Sequence, residues 1–255
     1  MALFCGLDFY AAKDIKFLIE SEYIDGIVLG DLFCQKKMFD FGDVELYEFI
    51  NIVGNSSKKL IYQTPIYITS RNRMQVINII NHINVSFTGS MVLTQDIGII
   101  KYVSDNCPNV GIIWSRMGRT REYSFNHLFY QTLCDLNVKL FETDSLAMAV
   151  QLSEHNIQPL LMYGSLHYKT IGRRCYSKYE LDIKDDNCSL YCRNSKYKME
   201  TSDATCKMTI DGYMLDAKLN YSSDIAMEYE KNKNGQFIVY AKDMGDLQLR
   251  LSELL

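Results

Sequence analysis

Apolar runs of strand length alternate with amphipathic stretches of helical length from the start of the chain. The first three strand and helix pairs are Leu3–Leu7 with Ala12–Glu20, Gly26–Leu29 with Val44–Val53, and Lys59–Gln63 with Arg73–His82. Alternation of this kind is typical of a parallel sheet in which each helix returns the chain across the sheet. We therefore predict a series of βα units.

The pattern continues through the middle of the chain and resumes at its end. Further strands are predicted at Val85–Thr88, Val110–Trp114, Val138–Phe141, Pro159–Tyr163 and Gln236–Ala241. Further helices are predicted at Gly98–Ser104, Asn126–Asp135, Ser145–His155 and Met244–Leu254. Eight strands, each followed by a helix or a long connection, predict a (β/α)8 barrel.

A long hydrophilic segment, residues 174–233, separates the seventh predicted strand from the eighth. We predict an insertion here, with a hairpin of Cys206–Ile210 and Tyr213–Asp216 and a short helix near Ser223–Lys231. The chain is 47% hydrophobic, contains three prolines and has no linker or low-complexity tract. Residues 1–255 are therefore expected to form one barrel domain.

Three of the eight cysteines, Cys175, Cys188 and Cys192, fall close together in this segment among charged and polar residues. Space-filling cysteines gain little in such surroundings, so the grouping favours a metal site. The opening MALFCGLDFYAAKD lacks the features of a secretory signal, which favours a reducing, cytoplasmic compartment over disulfides. Twelve residues separate the first two cysteines and three separate the last two, which leaves iron–sulfur, zinc and inert thiols open.

A fourth metal ligand would have to come from another part of the chain. Cys34 is the best candidate, because it follows the strand Gly26–Leu29 closely and begins a polar stretch. In a barrel, Cys34 and Cys175 would both follow carboxyl ends of strands and share one rim. The remaining cysteines are expected to be packing or inert residues: Cys5, Cys107, Cys134 and Cys206.

Polar residues near the predicted strand ends are candidates to face the barrel cavity. Arg116 and Arg119 follow the fifth strand, where arginines can hold a carboxylate by paired hydrogen bonds. The alternative for both is a solvated loop. The other polar residues at or just beyond strand ends are Asp8, Asp31, Gln63 and Glu142. No residue is assigned a catalytic role.

Charge and motif content exclude several functional classes. The net charge is −4 and the pI is about 5.6, which argues against a generally basic nucleic-acid surface. No apolar run approaches the length needed to span a bilayer. The four histidines are dispersed, and neither an HExxH helix nor a GxSxG elbow is present, so peptidase activity is not expected.

The cysteine pattern resembles that of the collagenase-like peptidase family, in particular its small UbiV-type members. The resemblance rests on LGDLFCQKK after the second strand, GRRC after the seventh, the spacing of Cys175, Cys188 and Cys192, and Gly212–Tyr213. It extends over nearly the whole chain, including the order of strands and the terminal strand and helix.

The resemblance implies a [4Fe-4S] cluster held by Cys34, Cys175, Cys188 and Cys192, with Arg174 beside it. It implies a component of an oxygen-independent hydroxylation system that acts on a quinone precursor or another biosynthetic intermediate. A related partner chain and a carboxylate oxygen donor such as prephenate are implied as well. The alternatives are a noncatalytic cluster-bearing or zinc-bearing scaffold subunit and hydroxylation of RNA bases.

Overall fold

A computed structural model describes the chain over twelve stretches. These are residues 2–7, 12–30, 43–65, 68, 70, 72–116, 127–163, 196–200, 207–211, 214–216, 235–241 and 244–254. The stretches include the strands and helices of the predicted βα series, so they suffice to define the barrel.

Eight parallel strands close into a barrel. They are β1 (Ala2–Leu7), β2 (Gly26–Leu29), β3 (Lys59–Gln63), β4 (Met91–Thr94), β5 (Gly111–Trp114), β6 (Val138–Thr143), β7 (Gln158–Tyr163) and β11 (Gln236–Ala241). Their order around the barrel is β1-β11-β7-β6-β5-β4-β3-β2. Closure leaves no exposed sheet edge in the barrel. The predicted (β/α)8 architecture is therefore confirmed.

Helices follow most of the barrel strands. Those described are α1 (Ala12–Glu20), α2 (Asp43–Gly54), α3 (Arg73–Ser86), α4 (Ile97–Asn106), α5 (His127–Asp135), α6 (Leu146–Glu154) and α7 (Met244–Leu254). In the part of the chain that the structure describes, none of them combines the length and apolar character that a membrane crossing requires.

The predicted strand Val85–Thr88 is wrong. Val85 lies in the last turn of α3 with 83% of its surface exposed, and the fourth strand begins later, at Met91. The apolar face of α3 continues to Ile83, so the helix outlasts the expected end at His82. Gly89, at φ +83°, then turns the chain into β4. Residues 85–88 contain a β-branched residue and an aromatic one, which favoured a strand in the sequence analysis. The buried face of α3, which extends to Ile83, favours a helix up to Ser86.

A smaller antiparallel sheet is formed within the predicted insertion. It contains β8 (Lys196–Glu200), β9 (Lys207–Asp211) and β10 (Met214–Asp216), in the order β10-β9-β8. The hairpin of β9 and β10 agrees with the sequence prediction to within one residue at each end. Strand β8 was not predicted, and the helix predicted near Ser223–Lys231 lies outside the described residues.

Strand alternation divides the apolar side chains into two groups. Outward-facing residues, such as Leu3 and Cys5 of β1, pack against the helices in the larger cluster. Inward-facing residues fill the barrel and form the second cluster: Phe4, Val28, Ile61, Met91, Leu93, Ile113, Leu140, Leu160, Met162, Ile238 and Tyr240. The barrel interior is therefore a packed core, as expected for eight strands.

Candidate functional site

Polar side chains replace the apolar filling at the carboxyl end of the barrel. Strand alternation places Gln63 on the same face as Ile61, Ser115 on the face of Ile113, and Glu142 on the face of Leu140. Each of these polar residues lies one inward position beyond its apolar partner, at or near the end of its strand. This is the end of a (β/α)8 barrel at which binding and catalytic groups gather.

Glu142 is the most deeply buried acidic residue described, with none of its surface exposed. Its Oε2 atom accepts hydrogen bonds from the hydroxyl of Ser115 at 3.0 Å and from the backbone N–H of Arg116 at 3.1 Å. Both donors lie just after β5, the neighbour of β6 in the barrel. The end of one strand therefore holds the carboxyl group of the next.

Burial raises the pKa of the Glu142 carboxyl above its ordinary value, because the charged form loses its hydration. The positive charge of Arg116, the hydroxyl of Tyr240 and the hydrogen bonds from Arg116 and Ser115 each act in the opposite direction without cancelling the effect of burial. The balance favours a protonated carboxyl over a wider pH range than an exposed glutamate has. A carboxyl group with a raised pKa is a candidate for proton transfer in a binding site.

Arg116 is paired with a second acidic residue. Its Nη1 atom donates to Oδ2 of Asp144 at 2.7 Å, and the two side chains are only 9% and 22% exposed. Asp144 directly follows β6, so Arg116 bridges the ends of two adjacent strands. The expected role of Arg116 in binding a substrate carboxylate stays a prediction, and a carboxylate there would meet an arginine whose charge Asp144 already offsets.

The aromatic ring of Tyr240 lies in the space that a side chain at position 6 would occupy. A Cβ atom added at Gly6 would lie 2.8 Å from the Tyr240 ring, so the ring rests against the bare backbone of β1. From β11 the hydroxyl of Tyr240 acts on the Glu142 carboxyl across the intervening strand β7. Glycine at position 6 thus lets an aromatic ring lie across the end of the barrel.

Gly30 fixes the position of Gln63. Gly30 has φ +146°, and a Cβ atom there would collide with the carbonyl oxygen of Gln63 and lie 2.7 Å from its Cβ atom. Only glycine adopts this backbone conformation without strain. The end of β2 therefore packs directly against β3, next to the inward-facing amide of Gln63.

Gln63 and Glu142 each carry a buried polar atom that makes no hydrogen bond within the described residues. These atoms are Nε2 of Gln63 and Oε1 of Glu142. Gln63 is 3% exposed and Glu142 is fully buried. The hydroxyl of Tyr240 acts on the same carboxyl group and lowers its pKa against the effect of burial. Orphaned groups of this kind are rare in native structures and mark places where a ligand or water completes the bonding.

All residues predicted for the metal site lie outside the described residues. These are Cys34, Cys175, Cys188, Cys192 and Arg174, together with Arg119 of the predicted carboxylate site. Arg116 is the member of the predicted set that the structure describes. Within the described residues, no group of three or more His, Cys, Asp or Glu side chains could hold a metal ion.

Three of the four cysteines expected to be packing or inert are described, and all are free thiols. Cys5 is fully buried and Cys107 is 2% exposed, and burial raises the pKa of both thiols. Cys134 packs against the core at partial burial, with Sγ 3.5 Å from the carbonyl oxygen of His155. The predicted packing of Cys5 and Cys134 is confirmed, the inertness of Cys107 stays a prediction, and Cys206 lies outside the described residues.

The polar side chains at the carboxyl end of the barrel, called here the polar cluster, are Gln63, Ser115, Arg116, Glu142, Asp144 and Tyr240. The sequence analysis missed three of them: Ser115, Asp144 and Tyr240. Ser115 and Asp144 each directly follow an apolar strand, as do many loop residues. Tyr240 alternates with Ile238 on one face of β11, which is equally typical of core tyrosines. Strand alternation gave the signal for an inward position, but the contact with Glu142 depends on barrel closure.

Comparison with known proteins gives no match to any protein-family model and no match to a curated protein. The resemblance to the collagenase-like peptidase family therefore stays a prediction from the sequence.

Proposed function

We propose that this chain binds a [4Fe-4S] cluster through Cys34, Cys175, Cys188 and Cys192. In that role it serves as a component of an oxygen-independent hydroxylation system, with a quinone precursor or another biosynthetic intermediate as acceptor. The observation that carries the proposal is the closed parallel barrel, because the strands that precede Cys34 and Cys175 end at the same rim.

Barrel topology supports the convergence of the proposed ligands. Cys34 follows the end of β2 at Leu29 by five residues, and Cys175 follows the end of β7 at Tyr163 by twelve. Strands β2 and β7 are separated in the barrel by β1 and β11. The carboxyl ends of all four strands lie on one side, since every pairing is parallel. Connections of these lengths are long enough to reach a common point on the rim.

The chemistry of the donor set fits this cluster. Four thiolates are the usual ligands of a [4Fe-4S] cluster, and the ligands come from separate loops in many proteins. When bound, a cluster with four thiolate ligands supplies electron transfer, because no iron is left open to a substrate. Arg174, next to Cys175, is proposed to offset the negative charge of the cluster or to donate to its sulfur atoms.

The polar cluster at the rim supports a role in handling a small molecule there. Arg116 and Arg119 are proposed to contact the carboxylate of an oxygen donor such as prephenate. Because Asp144 already pairs with Arg116 at 2.7 Å, the contribution of Arg119 is expected to be the larger. Glu142 is buried beside this pair and can hold or release a proton without exposure to water.

Metal analysis tests the cluster directly. Iron, zinc and acid-labile sulfide are measured on protein purified without oxygen, and the visible spectrum is recorded before and after dithionite. About four iron and four sulfide per chain, with a visible band that bleaches on reduction, is the expected result. One zinc and no sulfide would overturn the iron–sulfur assignment and favour a zinc-bearing scaffold.

Cysteine variants test the ligand set. Alanine at Cys34, Cys175, Cys188 or Cys192 is expected to lower the iron and sulfide content, whereas Cys134→Ala leaves both unchanged. Cys134 is the matched control because it is a free, partly buried thiol on α5 that does not belong to the proposed ligand set. Retention of a full cluster in Cys34→Ala would contradict the assignment of the fourth ligand.

An anaerobic activity assay separates a hydroxylase component from a scaffold. The chain, alone and with a related partner chain, is incubated with prephenate and a candidate aromatic acceptor. Hydroxylated product that depends on Cys175 supports the proposal. Product formation that is equal with wild type and with the Cys175→Ala protein would mean that hydroxylation does not require the cluster and would overturn this part of the proposal.

A further inference from the structure

We propose that Gln63 and Glu142 form the floor of a binding site for the hydroxyl group of a neutral small molecule. The site lies inside the carboxyl end of the barrel. It is built from described residues and does not depend on the proposed cluster, so it goes beyond the proposed function.

Orphaned hydrogen-bonding atoms on two strands are the first observation. Nε2 of Gln63 is a donor, and Oε1 of Glu142 is an acceptor or, when protonated, a donor; neither has a partner within the described residues. Leaving such groups unpaired inside a protein costs more than a hydrogen bond contributes. Because the side chains are 3% and 0% exposed, bulk solvent does not reach them freely.

Strand register brings these atoms to the same level of the barrel. Gln63 pairs with Leu93, and Leu93 pairs with Ile113, so Ser115 is offset by two residues from Gln63 along the sheet. In an eight-stranded barrel, strand tilt converts this offset into equal height two strands apart. Ser115 in turn donates to Glu142 at 3.0 Å. Gln63, Ser115 and Glu142 therefore lie at one level of the barrel, above the apolar filling.

The charges at this surface favour a neutral ligand. Asp144 offsets the charge of Arg116 through their 2.7 Å ion pair. Glu142 adds either no charge or one negative charge, and so the three residues together do not attract an anion. Oε2 of Glu142 already accepts from Ser115 and Arg116, so Oε1, which the Tyr240 hydroxyl also faces, is the oxygen with capacity to accept a hydrogen bond from a ligand.

A hydroxyl group is the ligand chemistry that suits both atoms. Its oxygen accepts a hydrogen bond from the Gln63 amide, and its proton can be donated to an ionised Glu142. When Glu142 is protonated, the same oxygen can accept from it instead. A carbonyl group only accepts and an ammonium group only donates, so neither matches both states of the site.

Binding of phenol tests the proposal, with anisole as the comparison because its methyl ether removes the hydroxyl proton. Affinity is measured by isothermal titration calorimetry on the full chain near neutral pH. Phenol is expected to bind saturably and roughly tenfold more tightly than anisole, as one buried hydrogen bond predicts. Equal affinities, or no saturable phenol binding, would mean that a structural water alone completes the site and would overturn the proposal.

Two variants locate the binding. Gln63→Met keeps the length of the side chain but removes the amide, and it is expected to weaken phenol binding roughly tenfold. Thr64→Val is the matched control. Thr64 is the next residue and is 2% exposed, and its hydroxyl donates to Thr94 at 2.8 Å on the outer side of the barrel. Thr64→Val should leave phenol affinity within about twofold of wild type. Unchanged phenol binding in folded Gln63→Met protein would overturn the proposal.

The experiments distinguish a failure of the hydroxyl-binding proposal from a failure of the cluster assignment. Cys175→Ala protein, which is expected to lose the cluster, should still bind phenol with wild-type affinity. A protein with a full cluster and no phenol binding would reject the hydroxyl site alone.

Discussion

The backbone N–H of Arg116 donates to Oε2 of Glu142 at 3.1 Å, while the guanidinium of the same residue binds Asp144 at 2.7 Å. Arg116, which follows β5, therefore holds two acidic side chains: Glu142 near the end of β6 and Asp144 directly after it. Only Glu142 is fully buried, so these two carboxylates lie in different electrostatic surroundings. Burial raises the pKa of the Glu142 carboxyl, because the charged form loses its hydration.

Glu142→Gln is expected to change how stability depends on pH. Burial raises the pKa of Glu142, against the opposing effects of Arg116, Tyr240 and Ser115. Above the unfolded pKa, the native state thus keeps a proton that the unfolded chain has released. The contribution of this group to stability is full at low pH and is lost as pH rises through the folded pKa.

Urea unfolding measures this effect from about pH 4, near the ordinary glutamate pKa, upward. Relative to Glu142→Gln, the wild type should lose up to about 1.4 kcal/mol per pH unit over the window in which only the unfolded carboxyl is ionised. The neighbouring Asp144 is present in both proteins and cancels in the comparison. Parallel pH profiles for the two proteins would show that Glu142 titrates normally.

Asp144→Ala should destabilise the protein by about 2 kcal/mol, because it leaves the largely buried guanidinium of Arg116 without its carboxylate. Asp105→Ala is the matched control, since Asp105 pairs with Lys101 at side-chain exposures of 48% and 61%. Exposed pairs contribute little, so the control should lose less than about 1 kcal/mol. The free energy of unfolding of both variants is measured in urea and compared with wild type. Equal losses in the two variants would mean that burial of the Arg116 pair has no energetic consequence.

Gly30→Ala should destabilise the protein by about 3 kcal/mol or more. The change adds a Cβ atom against Gln63 at φ +146°, so overpacking and backbone strain add together. Gly89→Ala separates the two effects, because Gly89 has φ +83° and nothing within 4 Å of an added Cβ. It should cost about 1 kcal/mol from the backbone alone. Thermal unfolding compares the two, and a larger loss at Gly89 would contradict the close packing of β2 on β3.

Alkylation of the native protein should leave Cys5 and Cys107 unmodified. Both thiols are buried and burial raises their pKa, so little thiolate is formed and the reagent has no access. Peptide mass spectrometry after brief iodoacetamide treatment reads out each position, and the denatured protein is the control in which both must react. Rapid native modification of Cys5 would mean that β1 opens readily.

The fold was predicted well because its signal is local. Strands β1, β2, β3 and β11 were bounded to within a residue, since each is an apolar run flanked by polar positions. The failure at Val85–Thr88 arose where a helix and a strand are separated by a short turn. There, burial of Ile83 on α3 extends the helix, and no local pattern reveals that packing.

The candidate site was predicted only in part. Gln63 and Glu142 were identified as polar residues near strand ends, and both lie buried at the carboxyl end of the barrel. Their partners were not identified, because Ser115 and Tyr240 differ from ordinary loop and core residues only through contacts made across the barrel. The predicted cysteine ligands and Arg174 stay predictions.

The sequence by itself determined the alternation of strands and helices and the inward or outward direction of each strand residue, because both follow from periods of a few residues. Only the tertiary structure decided which inward residues meet. Glu142 owes its raised pKa to burial, and it owes its hydrogen bonds to Ser115 and Arg116, which lie 27 and 26 residues away in the chain. Tyr240 reaches the same carboxyl from the last strand of the barrel. Barrel closure brings these groups together, and the distances along the chain hide that proximity from any local pattern.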